Sequence, residues 1–219
     1  MMPSVPEIEA ASIVVLGSFN PAIFHPLWFK MNQLIRPEEA ESAKLEVTHP
    51  QISIFSLEWC RLQVDTGRFI VEVTDRASFG LISDLVLGTF TILDQTPITA
   101  LGLNRSMHFK MDSREKWHAF GHMVAPKEVW SKIMARPGLS SLIMEDPRET
   151  PEGFLRVKVE PSGRIDPGIF IEMNNHYNLD KKSVPDMLQI LTNSWKDILK
   201  KAEDFSDYLL ERAEQCETR

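Results

Sequence analysis

The chain has 219 residues, of which 43% are hydrophobic and 25% charged, so it can bury a sizeable core and is neither disordered nor collagen-like. Its formal net charge of −7 disfavours a general nucleic-acid binder, because such a protein needs a positive face to displace counterions from phosphates. The longest apolar stretch, residues 81–93, is interrupted by polar residues and is too short to span a bilayer.

The first half of the chain predicts a strand, a helical connection, three strands and a helix. The first strand is rich in β-branched residues, and the apolar residues of the helices recur at steps of three and four. The turn Asp65-Thr66-Gly67 predicts a hairpin between two of the strands. In chain order these elements cover residues 11–19, 26–35 with 37–43, 51–57, 61–65, 68–74 and 78–95.

The second half predicts the same order of elements, ending in a longer helix. Pro126 is expected to break its helical connection, and Ser183 with Asp186 forms a capping box before the last helix. The elements cover residues 98–111, 113–134, 139–144, 154–160, 168–174 and 184–215.

The two halves also share a local motif, which predicts an internal duplication. Residues 61–65 (RLQVD) and 156–160 (RVKVE) alternate in the same way, and each is followed by Gly-Arg and an apolar strand. We therefore predict one α+β domain over residues 1–219, built from two β-α-β-β-β-α units at 9–95 and 96–215. Its antiparallel sheet would carry the helices on one face. This element order resembles the saddle of TATA-binding-type folds and implies no DNA binding.

A family resemblance rests on residues 6–10 (PEIEA), 101–104 (LGLN), 121–127 (GHMVAPK) and 174–177 (NNHY), together with the long C-terminal helix. With these features the chain resembles a sporadically distributed, uncharacterised bacterial protein family. The resemblance implies a bacterial, cytoplasmic protein, and it carries no known activity.

Three histidines form the only candidate metal site in the sequence. His118 and His122 are four residues apart in a predicted helix, so both imidazoles could face one metal ion, with His108 as a third ligand. The glutamate of a metalloprotease motif is absent between them. The structural alternative is a partly exposed helix face beside Trp117.

A dense polar set ends the last predicted strand. Asn174, Asn175, His176 and Tyr177 could form a polar site in which the imidazole and the phenol hydroxyl perform acid–base chemistry. The same residues are also typical of the turn that follows a strand.

Two glutamates occupy equivalent positions of the predicted repeat. Glu72 and Glu172 lie in apolar strands, and we expect them to face solvent or to pair with Arg61 and Arg156 across the hairpins.

Other signs of catalysis or of a cofactor are missing from the sequence. It contains no phosphate-binding loop, no dinucleotide fingerprint and no nucleophile elbow, so we predict no catalytic residue and no cofactor. Cys60 and Cys216 form no disulfide framework, and the first residues lack a signal peptide pattern. We therefore expect a reducing cytoplasm.

Aromatic residues and methionines cluster in the two helical connections. These residue types are typical of adaptable interfaces, and also of cores. As interface candidates we name five residues: Trp28, Phe29, Met31, Trp117 and Trp130.

The sequence favours a non-enzymatic binding protein that is homo-oligomeric or a subunit of a bacterial complex, with itself or another protein as partner. One alternative is a metal-dependent hydrolase that uses the three histidines. The other is a nucleic-acid-binding protein that uses the sheet face through Arg61, Arg68, Arg105, Arg156 and Arg164.

Overall fold

The computed structural model describes residues 5–180 and 182–216. Outside that range lie residues 1–4, on which the expectation about a signal peptide rests, and residues 181 and 217–219 of the predicted domain. The strands are β1 (Ile8–Gly17), β2 (Lys44–His49), β3 (Ile52–Ser56), β4 (Arg61–Asp65), β5 (Arg68–Val73), β6 (Ile98–Lys110), β7 (Leu142–Glu149), β8 (Glu152–Pro161) and β9 (Gly168–Asn178). The α-helices are α1 (Pro26–Met31), α2 (Pro37–Ser42), α3 (Phe79–Ile92), α4 (Arg114–Val124) and α5 (Val184–Cys216).

The nine described strands form one open antiparallel sheet in the order β2-β3-β4-β5-β1-β6-β9-β8-β7. β1 and β6 lie side by side at its centre, and each pairs on its other side with the last strand of its own half, β5 or β9. The predicted α+β class with an antiparallel sheet is therefore confirmed.

One face of this sheet carries the core, because apolar side chains alternate along the strands. In β1 the buried residues are Ala11, Ile13 and Val15, and the same alternation buries Phe69 and Val71 of β5. α3 and α5 contact this face, α3 at β1 and β5 and α5 at β6 and β9. We call it the helix face.

The long helix α5 spans two separate apolar clusters on the helix face. Its first half, with Leu191 and Trp195, belongs to the larger cluster, and Trp195 Nε1 donates a hydrogen bond to the Phe79 carbonyl oxygen at 2.8 Å. Its second half, with Ala202, packs against the smaller cluster around Phe120 of α4.

Arg105 of β6 lies on the helix face between Leu103 of the larger cluster and Met107 of the smaller one. Its side chain is fully buried, and its guanidinium binds the Glu9 carboxylate and lies 4.4 Å from the ring centroid of Phe79. A buried ion pair thus separates the two clusters.

The largest differences from the sequence prediction concern β2, β7 and the segment after α4. The prediction missed β2, whose residues are all exposed. It placed the strand at 142–149 too early, at residues 139–144. Of the helical connection predicted over residues 113–134 with a break at Pro126, α4 occupies residues 114–124, and turns follow Pro126. Among the described residues, no helix has the length and apolar character needed to cross a membrane.

Candidate functional site

The second face of the sheet, here called the open face, has no helix packed on it among the described residues. Every helix residue of the two core clusters packs with strand residues of the helix face. Apolar residues of the opposite alternation, such as Val14, Ile70 and Phe170, belong to neither cluster. Nine strands at about 4.8 Å spacing make this face roughly 40 Å wide.

A single line of directly paired polar residues crosses the open face, with one residue from every strand. We call it the polar row. From the β2 edge to the β7 edge it consists of Lys44, Ser56, Arg61, Glu72, Ser12, Asn104, Asn174, Arg156 and Glu145.

Ion pairs hold both ends of the polar row. Arg61 Nη2 lies 2.9 Å from Glu46 Oε2, and Arg156 Nη2 lies 2.7 Å from Glu145 Oε2. The hydrogen bond with Glu46 raises the pKa of Arg61, and the reciprocal bond lowers the pKa of the Glu46 carboxyl. Each of these arginines therefore has a carboxylate partner that offsets its charge.

Amides occupy the centre of the polar row. Asn104 Nδ2 donates to Ser12 Oγ at 3.1 Å, and Asn174 lies directly opposite Asn104 on the next strand. The Oδ1 atoms of both asparagines lie just below the surface without a hydrogen-bond partner in the described part of the chain. An unsatisfied buried acceptor costs about 1–3 kcal/mol, so a ligand that donates a hydrogen bond to a rotated amide would regain that energy.

A mostly apolar line, the apolar row, runs beside the polar row on the same face. It consists of Val47, Ile54, Gln63, Ile70, Val14, Gly102, His176, Phe154 and Pro147. Gly102 places no side chain at the centre of this row, and an added Cβ would meet its nearest atom, Val14 Cβ, at an ordinary 3.6 Å. The open face is therefore amphipathic across the strands.

Two histidines of the open face contact phenylalanine rings, His176 in a stacked pair and His108 in a tilted one. The rings of His176 and Phe154 lie 4.6 Å apart and 13° from parallel, and those of His108 and Phe170 also lie 4.6 Å apart. Burial, followed by the charges of Arg156 and Arg148, lowers the pKa of His176. Burial, followed by the charge of Arg164, lowers the pKa of His108.

These lowered pKa values predict a loss of stability on mild acidification. Below the usual histidine pKa of about 6.5, His108 and His176 are protonated in the unfolded chain but remain neutral in the folded protein. The unfolded chain then binds more protons, so the free energy of unfolding falls as the pH is lowered. We expect urea denaturation between pH 7.5 and 5 to show a steeper decline for the wild type than for the double variant His108→Gln/His176→Gln. Equal slopes would contradict this prediction, because the carboxylates titrate alike in both proteins.

The structure does not bring the three candidate metal ligands together. His118 and His122 lie in α4, and His122 Nε2 is 3.1 Å from Glu128 Oε1. His108 lies on the open face, where its Nδ1 is 2.8 Å from Ser162 Oγ. No group of three or more His, Cys, Asp and Glu side chains in the described residues is placed to hold a metal ion.

The hydroxyl of Ser162 links the connection between β8 and β9 to His108 of β6. Its Oγ accepts hydrogen bonds from the backbone N–H groups of Arg164 and Ile165 at 3.1 and 3.0 Å, and its own hydrogen can be donated to His108 Nδ1. The side chain therefore shapes its own loop and also holds that loop to β6.

Strand alternation divides the polar set at the end of β9. Asn174 and His176 point to the open face, whereas Asn175 and Tyr177 are buried on the helix face. Tyr177 Oη accepts a hydrogen bond from Arg148 Nη1 at 3.3 Å. The predicted pairing of His176 with the Tyr177 hydroxyl is therefore not formed.

The five interface candidates occupy different environments. Phe29 is fully buried and Trp28 packs beside it against the core, so both serve the fold. Trp117 is partly buried and donates from Nε1 to the Gly168 carbonyl oxygen at 2.8 Å. Met31 and Trp130 are exposed, and they remain available to a partner.

The five arginines proposed as nucleic-acid contacts do not all lie on one face of the sheet. Arg105 lies on the helix face, and Arg68 has a carboxylate neighbour, Asp65, at 3.5 Å. The expected pairing of Arg61 with Glu72 is present in the register, whereas the pairing of Arg156 with Glu172 is wrong: Glu172 lies opposite Lys158.

Most of the polar row is not predictable from local sequence: Arg61, Glu72, Asn174 and Arg156 stand out separately, whereas Ser12 and Asn104 do not stand out as site residues. Polar residues in the two apolar central strands were the available signal, and they gain meaning only once the pairing register is known.

Comparison with protein-family models and with curated proteins finds no match to the chain.

Proposed function

We propose that this chain is a non-enzymatic binding protein that uses the open face to recognise an amphipathic segment of a partner protein, as a subunit of a complex. The observation that carries the proposal is the polar row, which crosses all nine strands beside the apolar row. A partner segment that lies across the strands could set its charged side chains on the first row and its apolar side chains on the second.

The charge of the open face favours a polypeptide over a nucleic acid. Carboxylates and cations alternate on it, and the arginines nearest the ends of the polar row are neutralised by Glu46 and Glu145. Phosphate binding needs cations that can displace counterions, whereas a protein surface can offer both charges together with N–H donors for Asn104 and Asn174.

Gly102 offers a direct test, because a side chain at this position would stand in the centre of the face. We expect Gly102→Tyr to weaken partner binding at least tenfold, or about 1.4 kcal/mol, relative to the wild type, because the added ring would stand between the open face and the partner segment. Gly102→Ala is the matched control, since its Cβ makes only ordinary contacts. The partner is obtained by affinity purification of the tagged chain from its native host after nuclease treatment, and affinities are then measured with the purified partner.

The outcome of this experiment separates the possible occupants of the open face. Stoichiometric capture that Gly102→Ala retains and Gly102→Tyr loses supports the proposal. Capture that nuclease abolishes would replace it with nucleic-acid binding. Equal affinity of both variants for the purified partner would move the binding site away from the open face.

We also propose that the two halves derive from one duplicated unit, giving the sheet a saddle-like pseudo-symmetry. Two features support this: each half begins with a central strand that pairs with the last strand of that half, and each ends with a helix on the helix face. The pairing register differs, since Val64 lies opposite Phe69 but its counterpart Val159 lies opposite Ile171. A longer connection between β8 and β9 accounts for this shift of two residues.

The proposed location is the cytoplasm. Cys60 is a buried free thiol, and burial raises its pKa to about 12, so it stays protonated and unreactive at neutral pH. Fractionation of the native host with an antibody to the chain would test the location.

A further inference from the structure

Large apolar side chains are exposed in β7 and in the segment between α4 and β7. Four of them lie in the segment 129–134 that follows α4, and two lie in β7 itself. They are Val129, Trp130, Ile133, Met134, Ile143 and Met144, each between 48% and 77% exposed. Large apolar residues that are exposed next to one another in sequence, as Ile143 and Met144 are, are typical of interaction surfaces.

The two edges of the sheet are protected to different degrees. At the β2 edge the register shifts between Leu45 and Val47, an irregularity that hinders pairing with another strand. At the β7 edge Pro147 and the acidic residues before it guard the second half of the strand only. The first half, Leu142-Ile143-Met144, is apolar and, among the described residues, pairs with β8 alone.

We infer that β7 pairs with β7 of a second copy of this chain, antiparallel and centred on Ile143. In that register Leu142 lies opposite Met144 of the other copy, and Ser141 and Ser140 lie opposite Glu145 and Asp146. No like charges face each other, and the serine hydroxyls can donate to the carboxylates. Residues 139–141 precede β7 outside regular structure and can extend it.

This register suits a second copy for a further reason. Ile143 lies opposite Lys158 on the open face, whereas Met144 lies opposite Val157 on the helix face. The apolar residues of both copies would therefore meet on both faces of the joined sheet. The dimer does not depend on open-face binding, because Asn104, Asn174 and Gly102 remain far from the joined edge in strand order.

Sedimentation velocity tests the inference with a pair of matched edge variants. We expect the wild type to sediment as a dimer and Ile143→Lys to raise the dimer dissociation constant at least tenfold. Val47→Lys places the same charge at an exposed position on the opposite edge strand, and we expect it to leave the dimer unchanged. A monomeric wild type at about 100 µM, or a dimer that Ile143→Lys leaves intact, would overturn the inference.

Cysteine cross-linking then tests the register in a Cys216→Ser background. Ile143→Cys should form a covalent dimer on mild oxidation, because a residue at the two-fold centre lies opposite itself. Glu145→Cys should cross-link with Ser141→Cys in a mixture of the two variants and not with itself. Self-linking of Glu145→Cys without linking of Ile143→Cys would refute the centre at Ile143.

Gly102→Tyr should leave sedimentation unchanged, so a failure of the dimer and a failure of open-face binding are distinguishable.

Discussion

Replacing Arg105 with alanine is expected to lower the free energy of unfolding by about 3–5 kcal/mol. The side chain is fully buried, its guanidinium binds the Glu9 carboxylate, and Nη1 donates to the Ala10 carbonyl oxygen at 3.2 Å. Its loss would leave the Glu9 carboxylate without its main partner and open a cavity between the two apolar clusters. Arg76, whose Nη1 lies 3.8 Å from Glu9 Oε2, would remain as a more distant partner. Urea denaturation followed by tryptophan fluorescence measures the change.

Two variants show whether the broken ion pair causes the loss of stability. The double variant Glu9→Gln/Arg105→Met removes both charges and keeps most of the volume, so we expect it to be more stable than Arg105→Ala. Arg164→Ala removes an exposed arginine and should change stability by about 0.5 kcal/mol or less. If Arg105→Ala lost under 1 kcal/mol, the buried pair would not hold the clusters together.

Local sequence patterns predict most of the elements of this fold. The β-branched run of β1 and the apolar stripe of α5 both bury one face, and such periodicity is visible without tertiary information. β2 escaped prediction because every residue from Lys44 to His49 is exposed, so no burial pattern marks it. The second half of β7 carries no apolar alternation, since Glu145, Asp146 and Pro147 are polar or exposed, and such an edge strand tolerates proline.

The candidate site depends on register, which local patterns give only across tight turns. The turn at Asp65-Thr66-Gly67 sets Arg61 opposite Glu72, so that pair followed from counting. β8 and β9 are joined by a longer connection, so the repeat equivalence that predicted a pairing of Glu172 with Arg156 does not carry the register over, and Glu172 lies opposite Lys158. Ser12 and Asn104 are separated by 92 residues, and no local signal specifies that they meet.

In β6, residues on the helix face stabilise the fold, whereas residues on the open face belong to the candidate binding surface. Arg105 serves the fold, whereas its neighbour Asn104 belongs to the polar row. An arginine and an asparagine in adjacent positions read alike in sequence, as two polar residues in an apolar strand. Only the packing of α3 and α5 on one side decides which of them is buried and which can meet a partner.

Replacing Gly153 with alanine is the second substitution with a large expected effect. Gly153 has a φ of +155°, and a Cβ built on it would lie 2.0 Å from the His176 carbonyl oxygen. The strand β8 would have to move away from β9. That movement would disturb Arg148, whose Nη2 donates to the carbonyl oxygens of His176 and Phe154 at 3.0 and 3.1 Å.

We expect Gly153→Ala to cost about 3 kcal/mol or more, which lowers Tm by roughly 6–12 °C in a chain of this size. Gly163→Ala is the matched control, because a Cβ there would meet no atom within 4 Å and no left-handed φ is required. It should change Tm little, or raise it slightly by restricting the unfolded chain.

Since His176 lies in the apolar row, Gly153→Ala should also weaken partner binding at temperatures where the variant remains folded. If both alanine variants had the same Tm as the wild type, β8 would be able to accept a side chain at position 153. The hydrogen bonds from Arg148 to the carbonyl oxygens of β8 and β9 would then not be important for stability.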